Sequence, residues 1–122
     1  MRYGKEIILV VDDEPAVLRL TELILQNSGY LVYTAENASV AMTIAEQLHC
    51  GLNLLLTDMQ MPGADGHQLI GAIRRLCPHT DVIGFSGCLP EVDRPRNYPV
   101  LPKPFTQDQL LTLVRSILDV QL

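Results

Sequence analysis

One stretch constrains the fold of this 122-residue chain more than any other: the apolar run 54–56, which ends abruptly in Thr57 and Asp58. A short, uninterrupted apolar run is typical of a parallel strand that is buried on both faces. The Met-Pro-Gly turn at 61–63 then takes the chain away from the sheet. The pattern therefore predicts that Asp58 lies at the carboxyl end of a central strand.

Other apolar runs end in the same way, in residues suited to phosphate or metal chemistry. Ligands of open α/β sheets bind at the carboxyl ends of the strands, so several such endings in one chain predict one site. The endings are Asp12 and Asp13 after the run 7–11, Asp58 after 54–57, Ser86 after 82–85, and Lys103 shortly after 100–101.

Helical spacing of apolar residues separates these strands and indicates four helices. The alternation of strand and helix predicts a parallel sheet with helices on both faces, and the length fits a single domain, 1–122. Four prolines lie between Ser86 and Lys103, so we expect an irregular loop there. The predicted helices are 16–27, 38–48, 66–76 and 106–118, and the predicted strands are 7–11, 31–34, 54–57, 81–85 and 98–101.

Composition excludes several classes of protein. Apolar residues make up 48% of the chain, yet no apolar run is long enough to span a membrane. The formal net charge of −5, without a basic stripe, argues against direct nucleic-acid binding. The first residues lack the layout of a signal peptide, so we expect a cytoplasmic protein. Because the three cysteines lack zinc-site spacing, we expect reduced thiols.

The acidic residues Asp12, Asp13 and Asp58 converge if the first and third strands are neighbours. Two unit charges about 4 Å apart repel by roughly 4 kcal/mol at an effective dielectric constant of about 20. Such a cluster favours a hard cation, and Mg²⁺ suits oxygen ligands with spare coordination positions. The alternative is that Asp12 and Asp13 only cap a helix and that Asp58 only begins a turn.

Lys103 stands between two prolines, which fix the backbone on both sides of it. An ammonium group above the carboxylates would balance their charge and bind a phosphoryl oxygen. The Lys103–Pro104 bond is also a candidate cis peptide. The alternatives are a solvated surface lysine and, for Ser86, an ordinary turn hydroxyl.

Together these residues resemble the receiver domain of two-component response regulators, and the resemblance covers essentially the whole chain. It implies a flavodoxin-like (βα)₅ fold with strand order 2-1-3-4-5. The matching residues are Asp12-Asp13-Glu14 after the first strand, Thr57-Asp58-Met59-Gln60-Met61-Pro62 with Gly66 after the third, Ser86 after the fourth, and Leu101-Pro102-Lys103-Pro104-Phe105 after the fifth.

The resemblance also implies roles and partners. A histidine kinase or phosphotransfer protein would donate the phosphoryl group, and an output domain or partner protein would receive the signal through a conformational change. Beyond its own phosphorylation and autodephosphorylation, the chain would not be an enzyme. The implied roles are phosphoacceptor for Asp58; Mg²⁺ ligation for Asp12 (mainly through water), Asp13, Asp58 and the Gln60 backbone carbonyl; and phosphoryl contact for Lys103 and Ser86.

Two departures from the family pattern keep an alternative open. Val100 stands three residues before Lys103, where the family has an aromatic switch residue, and Tyr98 lies nearby at a different offset. The proline-rich segment between Ser86 and Lys103 also predicts that the family's fourth helix, which lies in this segment, is shortened or irregular here. A receiver-fold docking module that binds partners whatever its phosphorylation state is therefore the alternative function. The oligomeric state stays open.

Overall fold

The computed structural model of the chain describes residues 6–61, 64–87 and 98–118. Strands and helices alternate along these residues, as the apolar spacing predicts. The elements are β1 (Ile7–Val11), α1 (Pro15–Asn27), β2 (Leu31–Ala35), α2 (Ala38–Gln47), β3 (Leu54–Asp58), β4 (Gln60–Met61), β5 (Ala64–Asp65), α3 (Gly66–Leu76), β6 (Asp81–Ser86), β7 (Val100–Pro102) and α4 (Gln107–Leu118).

The main sheet has five parallel strands in the order β2-β1-β3-β6-β7. Counted along the chain without the short pair β4–β5, this is the predicted order 2-1-3-4-5. Strand β3 lies at the centre, and all five of its residues are buried. Its last residue, Asp58, pairs with Phe85 of β6. The central strand therefore delivers Asp58 to the carboxyl edge of the sheet.

The sheet separates two hydrophobic cores. Helices α1 and α4 cover the core on one face, and α2 and α3 cover the core on the other. Successive residues of a strand point to opposite faces, so Val10 belongs to the first core and Val11 to the second. Because both faces are covered, the inner strands are apolar at nearly every position.

Local sequence signals fix the helix ends. Gly29, with φ of 97°, ends α1 in the left-handed conformation that glycine tolerates. At the start of α4, the Gln109 N–H donates to the Thr106 hydroxyl at 3.0 Å, and the Thr106 N–H donates to the Gln109 side chain at 2.8 Å. This reciprocal pair is a capping box, and it makes Thr106 the N-cap residue of α4.

The expectation of reduced cysteines is wrong for Cys50 and Cys77, which form a disulfide. Cys50 follows the end of α2 and Cys77 follows the end of α3. Since these neighbouring helices cover the same face of the sheet, their ends reach the same edge and bring the two sulfurs together. The third cysteine, Cys88, lies outside the described residues.

Three further findings concern the proline-rich segment, the short strands β4 and β5, and the length of the helices. The predicted irregularity of the family's fourth helix, between β6 and β7, falls mostly on 88–97, outside the described residues, and stays a prediction. The short antiparallel pair β4–β5 was not predicted, because two residues per strand are too few to give a periodic signal. Within the described part of the chain, no helix is long and apolar enough to cross a bilayer.

We predict opposite effects of adding one methyl group at two glycines of α3. A Cβ at Gly66 would lie 2.7 Å from the Asp58 carbonyl oxygen and from the Met59 Cα, whereas one at Gly71 would lie 3.6 Å from its nearest neighbour, in Arg75. Gly66→Ala should lower the free energy of unfolding by about 1–3 kcal/mol through overpacking. Gly71→Ala should raise it by up to about 1 kcal/mol through helix propensity.

Urea denaturation of the two variants and the wild type measures this difference. Equal stability of Gly66→Ala and Gly71→Ala would contradict the close approach of α3 to the end of β3.

Candidate functional site

The acidic cluster forms because β1 and β3 are adjacent and parallel. Val11 pairs with Thr57, so Asp12 and Asp58 leave the sheet side by side. Asp12 is fully buried and Asp58 is 5% exposed, while Asp13 is exposed. One carboxylate oxygen from each of the three lies within 4.8 Å of the others. The sequence-predicted convergence of these three residues is present in the structure.

Lys103 completes the cluster from the end of β7. Its backbone N–H donates to the Ser86 carbonyl at 2.7 Å, which places it directly beyond the paired strands β6 and β7. The Nζ atom donates to Asp12 Oδ2 at 2.8 Å and lies 3.4 Å from Asp58 Oδ2. The side chain is only 14% exposed, so the ammonium group points into the pocket. The Lys103–Pro104 peptide bond is cis.

Glu14 is a member of the site that sequence reasoning did not assign. It is the N-cap residue of α1, but its side chain makes no capping hydrogen bond. Instead, its Oε1 accepts a hydrogen bond from Lys103 Nζ at 3.3 Å. The signal available in the sequence is the third consecutive acidic residue after Asp12 and Asp13.

The other predicted residues lie next to the cluster. The Gln60 N–H donates to Asp58 Oδ1 at 3.1 Å, so the backbone of Gln60 fixes one oxygen of that carboxylate. Ser86 ends β6 and pairs with Pro102, one residue before Lys103. Both oxygens of Asp12 are engaged, since Oδ1 accepts from the Glu14 N–H at 2.9 Å and Oδ2 accepts from Lys103.

Burial and neighbouring charges shift two pKa values in this site. Burial raises the pKa of Asp58 above its ordinary value, although the Gln60 N–H and the Lys103 ammonium oppose this shift. For Lys103, burial acts to lower the pKa, but the hydrogen bond and charge of Asp12, with Asp58 and Glu14, raise it overall. Both groups therefore bind their protons more tightly in the folded state than in the unfolded chain.

The donor set fits a hard divalent cation. The carboxylates of Asp12, Glu14 and Asp58 lie within 3.4 Å of one ammonium group. Asp13 adds a carboxylate close to Asp12 and Asp58, so the cluster has an excess of negative charge. The three clustered aspartate oxygens are the type of ligand that Mg²⁺ prefers. Because Asp12 is already engaged with Lys103, Asp13 and Asp58 have the carboxylate oxygens best able to contact an ion directly.

Tyr98, the aromatic residue nearest the family's switch position, precedes β7 and contacts α3. The Tyr98 hydroxyl and His67 Nδ1 are hydrogen-bonded at 3.1 Å, and the Arg74 guanidinium carbon lies 5.3 Å from the centroid of the Tyr98 ring. Val100 begins β7, pairs with Gly84 of β6 and is half-buried.

We predict that Asp58→Asn stabilises the metal-free fold and that this gain depends on pH. Because the pKa of Asp58 is raised on folding, the folded state binds the proton more tightly, so ionisation destabilises the fold as pH rises through that pKa. Near neutral pH, Asn should raise the free energy of unfolding by on the order of 1 kcal/mol. The gain should shrink as pH falls through the Asp58 pKa.

Urea denaturation in EDTA across the acidic and neutral range measures this dependence. Asp81→Asn is the matched control, because Asp81 is exposed at the opposite end of the sheet. A gain that is the same at every pH would contradict the role of the buried charge.

Comparisons with known proteins agree with this geometry. The family model described as "Response regulator receiver domain" matches residues 8–115. The sensor kinase CckA of Brucella abortus is 34% identical over an alignment that covers 97% of this chain and 13% of that protein. The transcriptional regulatory protein ResD of Bacillus subtilis is 32% identical over 91% of this chain and 47% of that protein. The chain thus spans less than half the length of either relative.

Solved structures with the same fold include two receiver domains. The receiver domain of the hybrid histidine kinase CckA has a TM-score of 0.82 at 33% identity and covers 92% of this chain and 98% of that one. A CheY-like receiver domain from Methanospirillum hungatei has a TM-score of 0.84 at 27% identity, with 94% of each chain covered. These likenesses confirm the flavodoxin-like fold class. With a family model that spans most of its length, this chain belongs to the response regulator receiver domain family of two-component signalling.

Proposed function

We propose that this chain accepts a phosphoryl group on Asp58 from the phosphohistidine of a sensor kinase or phosphotransfer protein. The observation that carries the proposal is the position of the Lys103 ammonium group, 3.4 Å from Asp58 and 2.8 Å from Asp12 in a largely buried acidic pocket. A single cation aimed at a reactive carboxylate is suited to stabilising added phosphoryl charge.

Different groups of the site have different roles in the proposed phosphoryl transfer. The Gln60 N–H holds Oδ1 of Asp58, and the remaining oxygen, on the Lys103 side, forms the bond to phosphorus while the phosphorus–nitrogen bond of the donor breaks. Lys103 then neutralises phosphoryl oxygens, and the Ser86 hydroxyl donates to one of them. Since positioning and charge neutralisation supply most of the catalysis in such reactions, no further acid or base is required.

We propose that Mg²⁺ binds through Asp12, Asp13, Asp58 and the Gln60 backbone carbonyl, with Asp12 acting through water. When bound, the ion supplies neutralisation of phosphoryl oxygens and a template for in-line attack. The support for this is the donor set itself, three carboxylate oxygens within 4.8 Å of one another beside an excess of negative charge.

The product, an acyl phosphate, is reactive enough to be a transient signal. Turnover is then confined to the chain's own phosphorylation and autodephosphorylation in the cytoplasm, with no external substrate hydrolysed. A conformational change would carry the signal to an output domain or partner protein. The support for such an arrangement is that the relatives include a sensor kinase and a transcriptional regulatory protein, both much longer than this chain.

We expect acetyl phosphate to phosphorylate the wild-type chain in a Mg²⁺-dependent reaction that intact-mass spectrometry detects. Asp58→Asn should remove the label, and Lys103→Ala should slow labelling by about 10²–10³-fold through loss of charge stabilisation. Asp81→Asn, which removes an exposed carboxylate far from the site, should be labelled like the wild type. Labelling of Asp58→Asn, or an equal rate in EDTA, would contradict the proposal.

We also expect Gln60 to control the lifetime of the phosphorylated state. Its side chain is exposed two residues after Asp58, where it can limit the access of the hydrolytic water. Gln60→Ala should shorten the lifetime several-fold, as measured by loss of the phosphorylated mass after removal of the donor. Gln47→Ala, an exposed glutamine at the end of α2, is the control. Equal lifetimes of the Gln60 variant and the wild type would remove this role.

A further inference from the structure

The Cys50–Cys77 disulfide joins the ends of α2 and α3. It lies at the amino-terminal end of the strands, whereas Asp58 lies at their carboxyl end. Cys50 follows the last turn of α2, and Cys77 comes directly after α3, 27 residues later. The loop that the bond closes contains the whole of β3 and the hairpin β4–β5. The bond therefore fixes α2 to α3 independently of any contact in the phosphoacceptor site.

The two cysteines differ sharply in exposure. Cys50 is an exposed residue, whereas Cys77 is only 2% exposed. Thiol–disulfide exchange begins when a thiolate reaches one sulfur of the bond, and its rate depends on access to that sulfur. A thiolate in solution therefore attacks the sulfur of Cys50, and the sulfur of Cys77 is the leaving group.

The backbone before the bond has an unfavourable conformation. His49 and Cys50 have φ of 51° and 60°, so two successive non-glycine residues lie in the left-handed region. Hydrogen bonds from the His49 N–H to the Glu46 carbonyl and from the Cys50 N–H to the Ala45 carbonyl end the helix there. Residues in this region persist where their surroundings restrain them, and the covalent bond to Cys77 is one such restraint.

The fold can also accommodate the opened bond. Cys50 Sγ lies 3.3 Å from the Leu76 carbonyl oxygen, so a reduced Cys50 has an acceptor for its S–H at the end of α3, where carbonyls lack helical partners. Other contacts also join the two segments: the Asp81 N–H donates to the Asn53 carbonyl at 3.0 Å. The Thr80 hydroxyl likewise donates to the Leu52 carbonyl at 3.0 Å. Opening the disulfide therefore leaves these segments joined.

We propose that Cys50 and Cys77 form a reversible redox site that clamps the end of α2 to the end of α3. A thiolate, such as that of glutathione, attacks Cys50 Sγ; the sulfur–sulfur bond breaks, and Cys77 leaves as a thiolate that takes up a proton. A second thiolate attacks the sulfur of the attached thiol, which releases reduced Cys50 and one small-molecule disulfide. The same disulfide re-forms the bond by the reverse steps.

The disulfide restrains α3, the helix that begins next to Asp58 and Met59. The Gly66 N–H, at the start of α3, donates to the Met59 carbonyl at 3.1 Å, and Cys77 follows the other end of the same helix. The redox site does not depend on the proposed phosphorylation of Asp58, so the two proposals can fail separately.

The test uses the full chain with Cys88→Ser, which leaves only the two cysteines of the site. The folded protein is equilibrated in glutathione buffers of varied ratio, alkylated, and examined by intact mass and peptide mapping. We expect a reversible two-thiol transition without loss of far-ultraviolet circular dichroism, and a trapped glutathione adduct on Cys50. Two free thiols in oxidising buffer, or reduction only in denaturant, would overturn the proposal.

Two further variants in the Cys88→Ser background test whether Cys50 is the more reactive thiol. Amide hydrogen exchange tests whether the disulfide restrains the end of α2. The Cys50 thiol of Cys77→Ser should react with a small disulfide reagent at least tenfold faster than the Cys77 thiol of Cys50→Ser. Reduction should also speed amide hydrogen exchange at 48–51, while amides of β1 serve as the internal control. Equal thiol reactivity, an adduct on Cys77, or unchanged exchange at 48–51 would contradict the assignment.

Discussion

The ion pair between Lys103 and Asp12 is the contact on which the rest of the site depends. It joins residues at opposite ends of the chain, 2.8 Å apart, and Asp12 has no solvent exposure. An unpaired buried carboxylate costs several kcal/mol, so the burial of Asp12 depends on the ammonium group that follows β7. The same geometry holds Lys103 3.4 Å from Asp58, the carboxylate that gains charge in the proposed phosphorylation.

The pocket contains more carboxylates than ammonium groups. Lys103 is shared among Asp12, Glu14 and Asp58, and the exposed Asp13 adds another carboxylate at the mouth. Burial and like charge oppose the ionised form of Asp58, while the Gln60 N–H and Lys103 favour it. A divalent ion or a change in the position of Lys103 therefore alters the free energy of every carboxylate in the pocket together.

The sequence was sufficient to predict most of the sheet and the central residues of the site. Each inner strand, β1, β3 and β6, is an apolar run that ends in a polar residue, and Lys103 follows the edge strand β7 between two prolines. These signals are local in sequence, so Asp12, Asp58 and Lys103 could be assigned from the sequence alone. The partners of Glu14 and Cys50 could not be predicted, because they depend on which segments meet in the folded chain. The hairpin β4–β5 was missed for another reason: its strands are too short for any periodicity.

Met59 has a consequence for strand alignment. Leucines fill three successive positions of β3, and packing of such similar side chains distinguishes poorly between pairings offset along the strand. The thioether of Met59 occupies space that two glycines leave: a Cβ at Gly84 would lie 2.5 Å from its sulfur, and one at Gly66 would lie 3.1 Å from it. A shifted β3 would move the Met59 side chain out of this space. The absent side chains of Gly66 and Gly84 therefore help to select the alignment that places Asp58, rather than Thr57 or Met59, at the carboxyl end of β3.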